Sequence, residues 1–496
     1  MNLFFAYLRA PFRFVYWHPW WSVFLAAVGF LISTVGAYKF VEYRSYCDLA
    51  AAIAETDAAS PRWRIEELEA DRAEIPDAEN SALVIAKVAE LRKRAEQQIP
   101  PQFDLDDFRG TEDYSPQHRL VDARLEKMRG ALRGIQPALD EAAKLTNMPR
   151  GRWPIKHEPD GISTMVPHIG TVRGVARLLQ AQAVAASHEA NSPLATDCLI
   201  GMLYTGRSMA DEPIVVSALV QTTIRSMAAS ALESSFGVSA LSTNDLGRLE
   251  RVVAYELESL DGASMFHAER AFVHSFFTHL EQLDSVSYLA TIGSVRNARS
   301  AVGMVTDPLY RPMIPADHAF ALRMLNRGCV IAAQPTETQH QGFDEWIREW
   351  AKSVLRGPLV YRNIVAGDLL PFSAKYSEYH ARALAWLRVL QTTLAIEQFR
   401  LEYGRWPHEV VELVPKFAKE TPRDPFDGQP LRMITDDKGV TIYSIGVNRQ
   451  DDGGAKYSER DEGDVALRLF NPEQRGLPAL PEKPAEGDAS TENNNP

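Results

Sequence analysis

The feature that most constrains this chain is a long uncharged run close to its start. Between Arg13 and Lys39 there is no Asp, Glu, Lys or Arg, and Trp20 to Tyr38 reads WWSVFLAAVGFLISTVGAY. At about 1.5 Å rise per residue, a helix of that length crosses the roughly 30 Å of a hydrocarbon core. Trp17, Trp20 and Trp21 crowd one end and Tyr38, Tyr43 and Tyr46 the other, where amphipathic rings settle at headgroup level. Arg9 and Arg13 precede the run, whereas Lys39 and Arg44 beyond it are diluted by Glu42 and Asp48. The positive-inside rule therefore predicts a cytoplasmic N-terminus, with the chain after Lys39 on the far side of a bacterial inner membrane. A cleaved signal peptide is the alternative, but its apolar region is shorter and ends in an A-x-A-like site that this stretch lacks.

The rest of the sequence is that of an ordinary globular protein. With 45% hydrophobic and 24% charged residues over 496 positions it can bury a sizeable core. A formal net charge of -12 without a basic stripe argues against a nucleic-acid partner. Cys47, Cys198 and Cys329 are scattered with no C-x-x-C spacing, which fits small buried apolar residues better than a zinc site or a disulfide framework. No other segment reads as membrane-length, so a single crossing is expected.

Helical periodicity dominates the chain beyond the span. Val121, Leu125, Met128, Leu132, Ile135 and Leu139 recur in steps of three and four, with Pro137 dividing the helix. Gly151 to Ile169 reads as an ordered connector. Further stripes run through Val172, Val175 and Leu179, through Val216, Val220, Ile224, Met227 and Ala231, and through Phe272, Phe276 and Leu280. Ser242 with Asp245 reads as a capping box ahead of Leu246, Leu249, Val253 and Leu257. Trp346 and Trp350, four apart, are expected to dock their helix onto the bundle. A long helix from near Lys375 to Tyr403 carries Leu387, Leu390, Leu394 and Leu401. The fold class expected is mainly α: a transmembrane helix, an α-helical bundle or short helical-hairpin solenoid, then a small α+β module. The boundaries fall at 1–45 for the N-terminus and span, 46–370 for an all-α extracytoplasmic domain, 371–470 for the α+β module and 471–496 for a disordered tail.

Chemical motifs are sparse. His267, Glu269, His274 and His279 lie in HAERAFVHSFFTHLEQ, but no H-E-x-x-H pattern occurs and no ligand at i+4 joins them. Glu269 beside Arg270 suggests buried pairing with neighbouring helices. Phosphate loops, nucleophile elbows and kinase signatures are absent, so no catalytic residue is assigned.

The most specific stretch comes after the long helix: AIEQFRLEYGRWP (Ala395 to Pro407), TPRDPFDGQPLRM (Thr421 to Met433) and VTIYSIGVNRQDDGG (Val440 to Gly454). Gly404 and Pro407 stop a helix, Pro422, Pro425, Gly428 and Pro430 build turns, Asp424 is placed to cap amides, and Leu431 to Thr435 with Val440 to Ser444 read as a hairpin. This order resembles the soluble domain of type II secretion major pseudopilins (G-type), in which a helix leads through GRYP to a P-x-D-P loop, strands and an acidic calcium loop. The chain departs from them in having no prepilin leader, in a span far upstream of the similar helix, in Met433 where an aromatic residue is common, and in Asn448 where Asp is common. The resemblance implies a small antiparallel sheet on the long helix and a calcium site at Asp451, Asp452, Asp461 and Asp464. Hard oxygen donors in a glycine-bearing loop suit that ion, and a solvated acidic loop is the alternative. The function expected is a membrane-anchored structural or protein-binding protein with envelope partners, alongside a secretion or pilus-like system. The alternative is a membrane-anchored envelope hydrolase with its site in the helical domain.

Overall fold

A computed structural model describes residues 19–98, 116–161, 163–283, 310–354, 363–455 and 463–480. The expectations for Arg9, Arg13, Trp17, Asp461 and the tail from 481 lie outside the described residues. Fourteen described helices account for most of the chain, and the strands form one small sheet near its end.

The uncharged run begins a helix much longer than a membrane is thick. α1 (Pro19–Ala59) spans 41 residues, with Trp20, Val23, Phe24, Leu25, Phe30, Leu31, Ile32, Val35 and Phe40 all exposed. Its last third changes character. There Leu49 and Ala52 are buried against Ala319 and Leu322 of α11 (Ile314–Ala332), together with Trp63. After α2 (Ile65–Asp71) come α3 (Ser81–Gln98), α4 (Asp122–Gly134) and α5 (Gln136–Ala142). α4 and α5 part at Ile135, with Pro137 in the first turn of α5, where its missing N–H costs nothing. Leu125, Met128, Leu132, Ile135 and Leu139 are all buried, as their spacing predicts. The connector after α5 is irregular yet fixed, because Gly151 lies so close to Ser81 and Ser208 that a Cβ there would meet atoms at 2.5 and 2.7 Å.

α6 (His168–His188), α7 (Ser192–Arg207) and α8 (Val215–Val238) pack on one another, and α9 (Thr243–Glu258) packs on α7. Ser242 caps α9 by accepting from the Asp245 amide at 3.1 Å, while its hydroxyl donates to the Asp245 carboxylate at 2.7 Å. α8 corrects one expectation. It too is long and apolar enough to cross a membrane, but 44% of its window is buried in the protein, against none for α1. Of the expected stripe, Ile224 and Ala231 are buried, Val220 and Met227 pack against the core and Val216 is exposed; Gln221 and Arg225 are buried as well, because neighbouring elements supply their acceptors.

α10 (Ser264–Gln282), α11, α12 (Thr336–Val354) and α13 (Ile364–Leu369) build a second cluster around Phe266, Phe276, Phe277 and Trp346. Trp346 is fully buried and donates its ring N–H to the Met324 carbonyl at 2.7 Å, the docking its spacing predicts. Cys198 and Cys329 are buried and Cys47 on α1 is exposed.

α14 (Tyr376–Tyr403) ends at Gly404, whose φ of 70° is the left-handed conformation glycine supplies at helix ends. Leu387, Leu390 and Leu394 are buried, and Leu401 is 42% exposed. β1 (Arg432–Asp436), β2 (Gly439–Ser444) and β3 (Val465–Phe470) form an antiparallel meander in the order β1-β2-β3. Gly439 at the hairpin permits no side chain, since a Cβ would sit 2.0 Å from the Leu469 carbonyl oxygen. Val440, Ile442, Leu467 and Leu469 close on α14 and α8. One continuous core therefore contains residues from both sides of position 370. Residues 471–480 are packed rather than free: Gly476 and Leu477 donate backbone hydrogen bonds to Gly237 and Gln117, and Arg475 pairs with Glu397 at 2.9 Å.

Candidate functional site

Three polar constellations stand out, and the sequence points to only one of them. In the acidic loop, Asp451 accepts from the Tyr443 hydroxyl at 3.0 Å, the Gly453 amide at 3.1 Å and Arg432 at 3.2 Å. Asp452 accepts from the Asn448 side-chain amide at 2.8 Å. Asp464 is buried, with one oxygen on the Gly454 amide at 2.7 Å and the other without a protein partner. Burial raises the Asp464 pKa, and the charges of Asp452 and Asp451 push it the same way. Asp461 lies outside the described residues. Among the described residues no three His, Cys, Asp or Glu side chains converge as a metal site. Calcium takes six to eight oxygens, more than the carboxylates of Asp451, Asp452 and Asp464 supply alone.

Asp424, in the most specific motif, is a structural knot. It is fully buried and accepts from the amides of Phe426 and Ile445 at 2.9 Å each, from the Ser444 hydroxyl at 2.8 Å and from Arg432 at 3.2 Å. Those bonds tie the proline-rich turn to the end of β2.

The second constellation surrounds a cavity of about 250 Å³ between the end of α7, the start of α8, the α9–α10 turn and α14. Arg207 and Arg225 share one carboxylate there. Arg207 Nη1 donates to Glu256 Oε1 at 2.9 Å, while Arg225 Nε and Nη2 donate to Oε2 at 3.0 and 2.7 Å. The Arg207 guanidinium also lies 3.5 Å from the centre of the Tyr255 ring. Glu212, also in the lining, meets His168 Nε2 at 2.9 Å and accepts a hydrogen bond from Ser217. His168 stacks on Trp153 at 5.0 Å, which fixes the imidazole plane. His380, buried in the lining with Nδ1 unpartnered, is held neutral by desolvation, its pKa lowered to about 4.

The third is a histidine chain where α1 meets the helical body. His274 Nδ1 and His318 Nε2 are 3.0 Å apart, and His318 Nδ1 lies 3.3 Å from Glu281. Phe277 stacks on His318 and Trp63 lies against His274. Burial lowers both imidazoles, His274 to about 3 with His318 adding to the effect. His267 takes no part in it. Beside the chain Arg270 donates to Asn326 and to Ser60 at 2.8 Å, and Asn326 donates to Thr56 at 2.7 Å. This corrects the expected ion pairing at Glu269 and Arg270. Arg270 finds neutral partners, and Glu269 faces Tyr376 and Ser373. Although Glu269 as a residue keeps some surface, its carboxyl is enclosed, and burial lifts its pKa to about 7.

No local signal in the sequence joins Arg207 to Glu256 or His274 to His318. The members of the two pairs are 49 and 44 residues apart in the chain and meet only through packing. Comparison with protein-family models, with curated proteins and with solved structures finds no match for this chain, so its reading rests on its own geometry.

Proposed function

We propose that this is a single-pass membrane protein of the bacterial envelope that holds a helical, protein-binding body at the membrane surface. Its N-terminus lies in the cytoplasm and the chain after Lys39 on the extracytoplasmic side. The observation that carries this reading is the double character of α1. Its first half presents apolar side chains to the surroundings, and its second half is bolted to the body. Arg323 of α11 reaches both Asp48 and Glu55 at 2.9 Å, and Asn326 reaches Thr56, so the helix cannot swing freely on a linker. A span that continues without a break into a docked helix fixes the height and orientation of what it carries, a property suited to a structural component rather than to a freely diffusing catalyst.

The C-terminal α+β module, with its likeness to major pseudopilins, would supply contacts to a secretion or pilus-like system, and calcium at the acidic loop would rigidify it. The test has two arms. Carbonate extraction and external protease on spheroplasts check the anchor and its orientation; full protection of the body would reverse the topology. Crosslinking from Lys416 and Lys419, near the exposed edge of the module, followed by mass spectrometry, checks the partner class. Crosslinks to cytoplasmic proteins alone would remove the secretion reading.

A further inference from the structure

We infer that the paired imidazoles of His274 and His318 form an acid-sensitive latch, which holds the docked part of α1 and Trp63 on the body at neutral pH and releases them when the pair takes up a further proton. The hydrogen bonding allows each ring one proton. The Glu281 carboxylate accepts from His318 Nδ1, which leaves a lone pair on His318 Nε2, so the proton between the rings sits on His274 Nδ1. A proton added at His318 Nε2 sets two N–H groups against each other across 3.0 Å. The pair also lies beneath the docked segment. Trp63, fully buried, rests on His274 at 4.6 Å and belongs to the same cluster as Leu49, Ala52, Ala319 and Leu322. Phe277 stacks on His318, which is itself buried, so water reaches that ring only when the seat opens.

The charged groups around the pair are already engaged. Asp57 of α1 accepts from Trp63 Nε1 at 2.8 Å and from Arg64 at 2.9 Å, and Arg64 lies 3.7 Å from Glu67 of α2. On α10, Glu281 is taken by His318, and Arg270 lies 5.4 Å from the Trp63 ring. Tyr46 of α1 is close enough to Glu281 and Arg311 to feel both charges. On α11, Asp317 holds Tyr310 and the amides of Val365 and Ala366, and Arg323 holds Asp48 and Glu55. Those last two pairs are exposed and add little to the seat. Burial lowers His274 from 6.5 to about 3, with His318 and Arg64 adding to the effect and Asp57 opposing it; burial lowers His318 too, with Glu281 opposing. Docking is therefore full above pH 6.5 and weakens as pH falls toward 3. At pH 5.5 His274 alone favours release about tenfold, and His318 acts in the same direction. With the topology proposed above, the latch lies on the extracytoplasmic side and frees the body from its fixed pose when the surroundings acidify.

The test is hydrogen-exchange mass spectrometry of the full-length protein in detergent at pH 7.5 and 5.5, with rates corrected for the intrinsic effect of pH. Amide protection over residues 49–63 is expected to fall at least about tenfold at the lower pH, while α6 and α7 keep theirs. His274→Asn keeps a donor toward His318 without a titrating ring, and is expected to remove about tenfold of that fall. His318→Gln keeps an acceptor toward His274 and is expected to remove a further part. Circular dichroism selects the variants that fold as the parent does. In the parent itself, exchange of each imidazole C2 hydrogen gives a separate titration, expected to place protonation of both rings in the pH range where the segment opens. Unchanged protection of residues 49–63, an equal fall in α6 and α7, a folded variant with the parental response, or rings that titrate apart from the opening would each overturn the latch. Because the readout needs neither a membrane nor a partner protein, its failure leaves the anchoring reading standing.

Discussion

α1 and α8 are both long and apolar enough to cross a membrane, and the protein treats them in opposite ways. The apolar window of α1 is bare, whereas α8 is wrapped by α6, α7, α14 and β3. Mean hydropathy, 1.7 in α1 and 1.2 in α8, separates them only in part; the placement of their few polar groups completes the distinction. In α1 the first charge after the run is Lys39, beyond the apolar residues. In α8 Gln221, Arg225 and Glu233 sit mid-helix, and each meets a partner from another element: the Met209 carbonyl, Glu256 and the Arg468 amide. A charged group within a hydrocarbon core costs several kcal/mol, so a helix bearing such groups belongs where the protein can answer them.

The largest effect that can break this comparison is removal of the bare segment. Deleting residues 19–40 is expected to move the protein from the carbonate-resistant membrane pellet to the supernatant, with the helical circular dichroism of the body retained. Retention in the membrane would make α8 or another surface the anchor. Next in size is the counterion of α8. Glu256→Ala leaves Arg207 and Arg225 buried without a carboxylate and is expected to cost about 3–5 kcal/mol, read as a fall in melting temperature. Glu256→Gln, which keeps acceptor capacity on one side, should cost less.

Glu269 sharpens the same point, because it is an enclosed carboxylate that meets no guanidinium. Its pKa rises from 4.5 to about 7 on folding, so between those values the native state holds a proton that the unfolded state has released. Stability is then full below about pH 4.5 and falls as pH climbs through 7. Glu269→Gln is expected to flatten that fall, and to be more stable than the parent above pH 7 by at most about 3 kcal/mol, the equivalent of the shift. Parallel pH profiles of melting temperature for the two proteins would remove Glu269 as the cause.

How much of the fold is legible in the sequence depends on whether the signal is local. The α4 stripe, the Trp346 docking, the Gly404 stop and the β1–β2 hairpin all rest on neighbours within a few residues, and periodicity finds such features. The α8 stripe finds Ile224 and Ala231 in the core with Val220 and Met227 packed against it, but it gives no sign that Arg225 and Gln221 are buried too, since only the fold brings Glu256 and the Met209 carbonyl to them. The cavity is invisible in the sequence for the same reason: its walls come from Arg207, Arg225, Asp261 and His380, spread over four elements. The docking of residues 49–52 of α1 onto α11 is equally hidden, since alanine-rich helix carries little directional pattern.

The smallest prediction compares single methyl groups on the two helices. Ile224 of α8 is fully buried and lies across Gly206 of α7, where a Cβ added to the glycine would come within 3.3 Å of its Cγ2. Ile224→Val removes one methyl group from that close approach, and the surrounding helices cannot collapse to refill the gap. A loss of about 1 kcal/mol is expected in chemical denaturation of the detergent-solubilised protein. Val35→Ala on α1 removes more, two methyl groups, from a residue that is 52% exposed and touches no part of the body's core. Its cost to the unfolding of the body is expected to be nil, with any effect confined to membrane partition. A measurable loss of body stability in the Val35 variant would mean that the first half of α1 also packs on protein, and the contrast between the two helices would narrow to their charges alone.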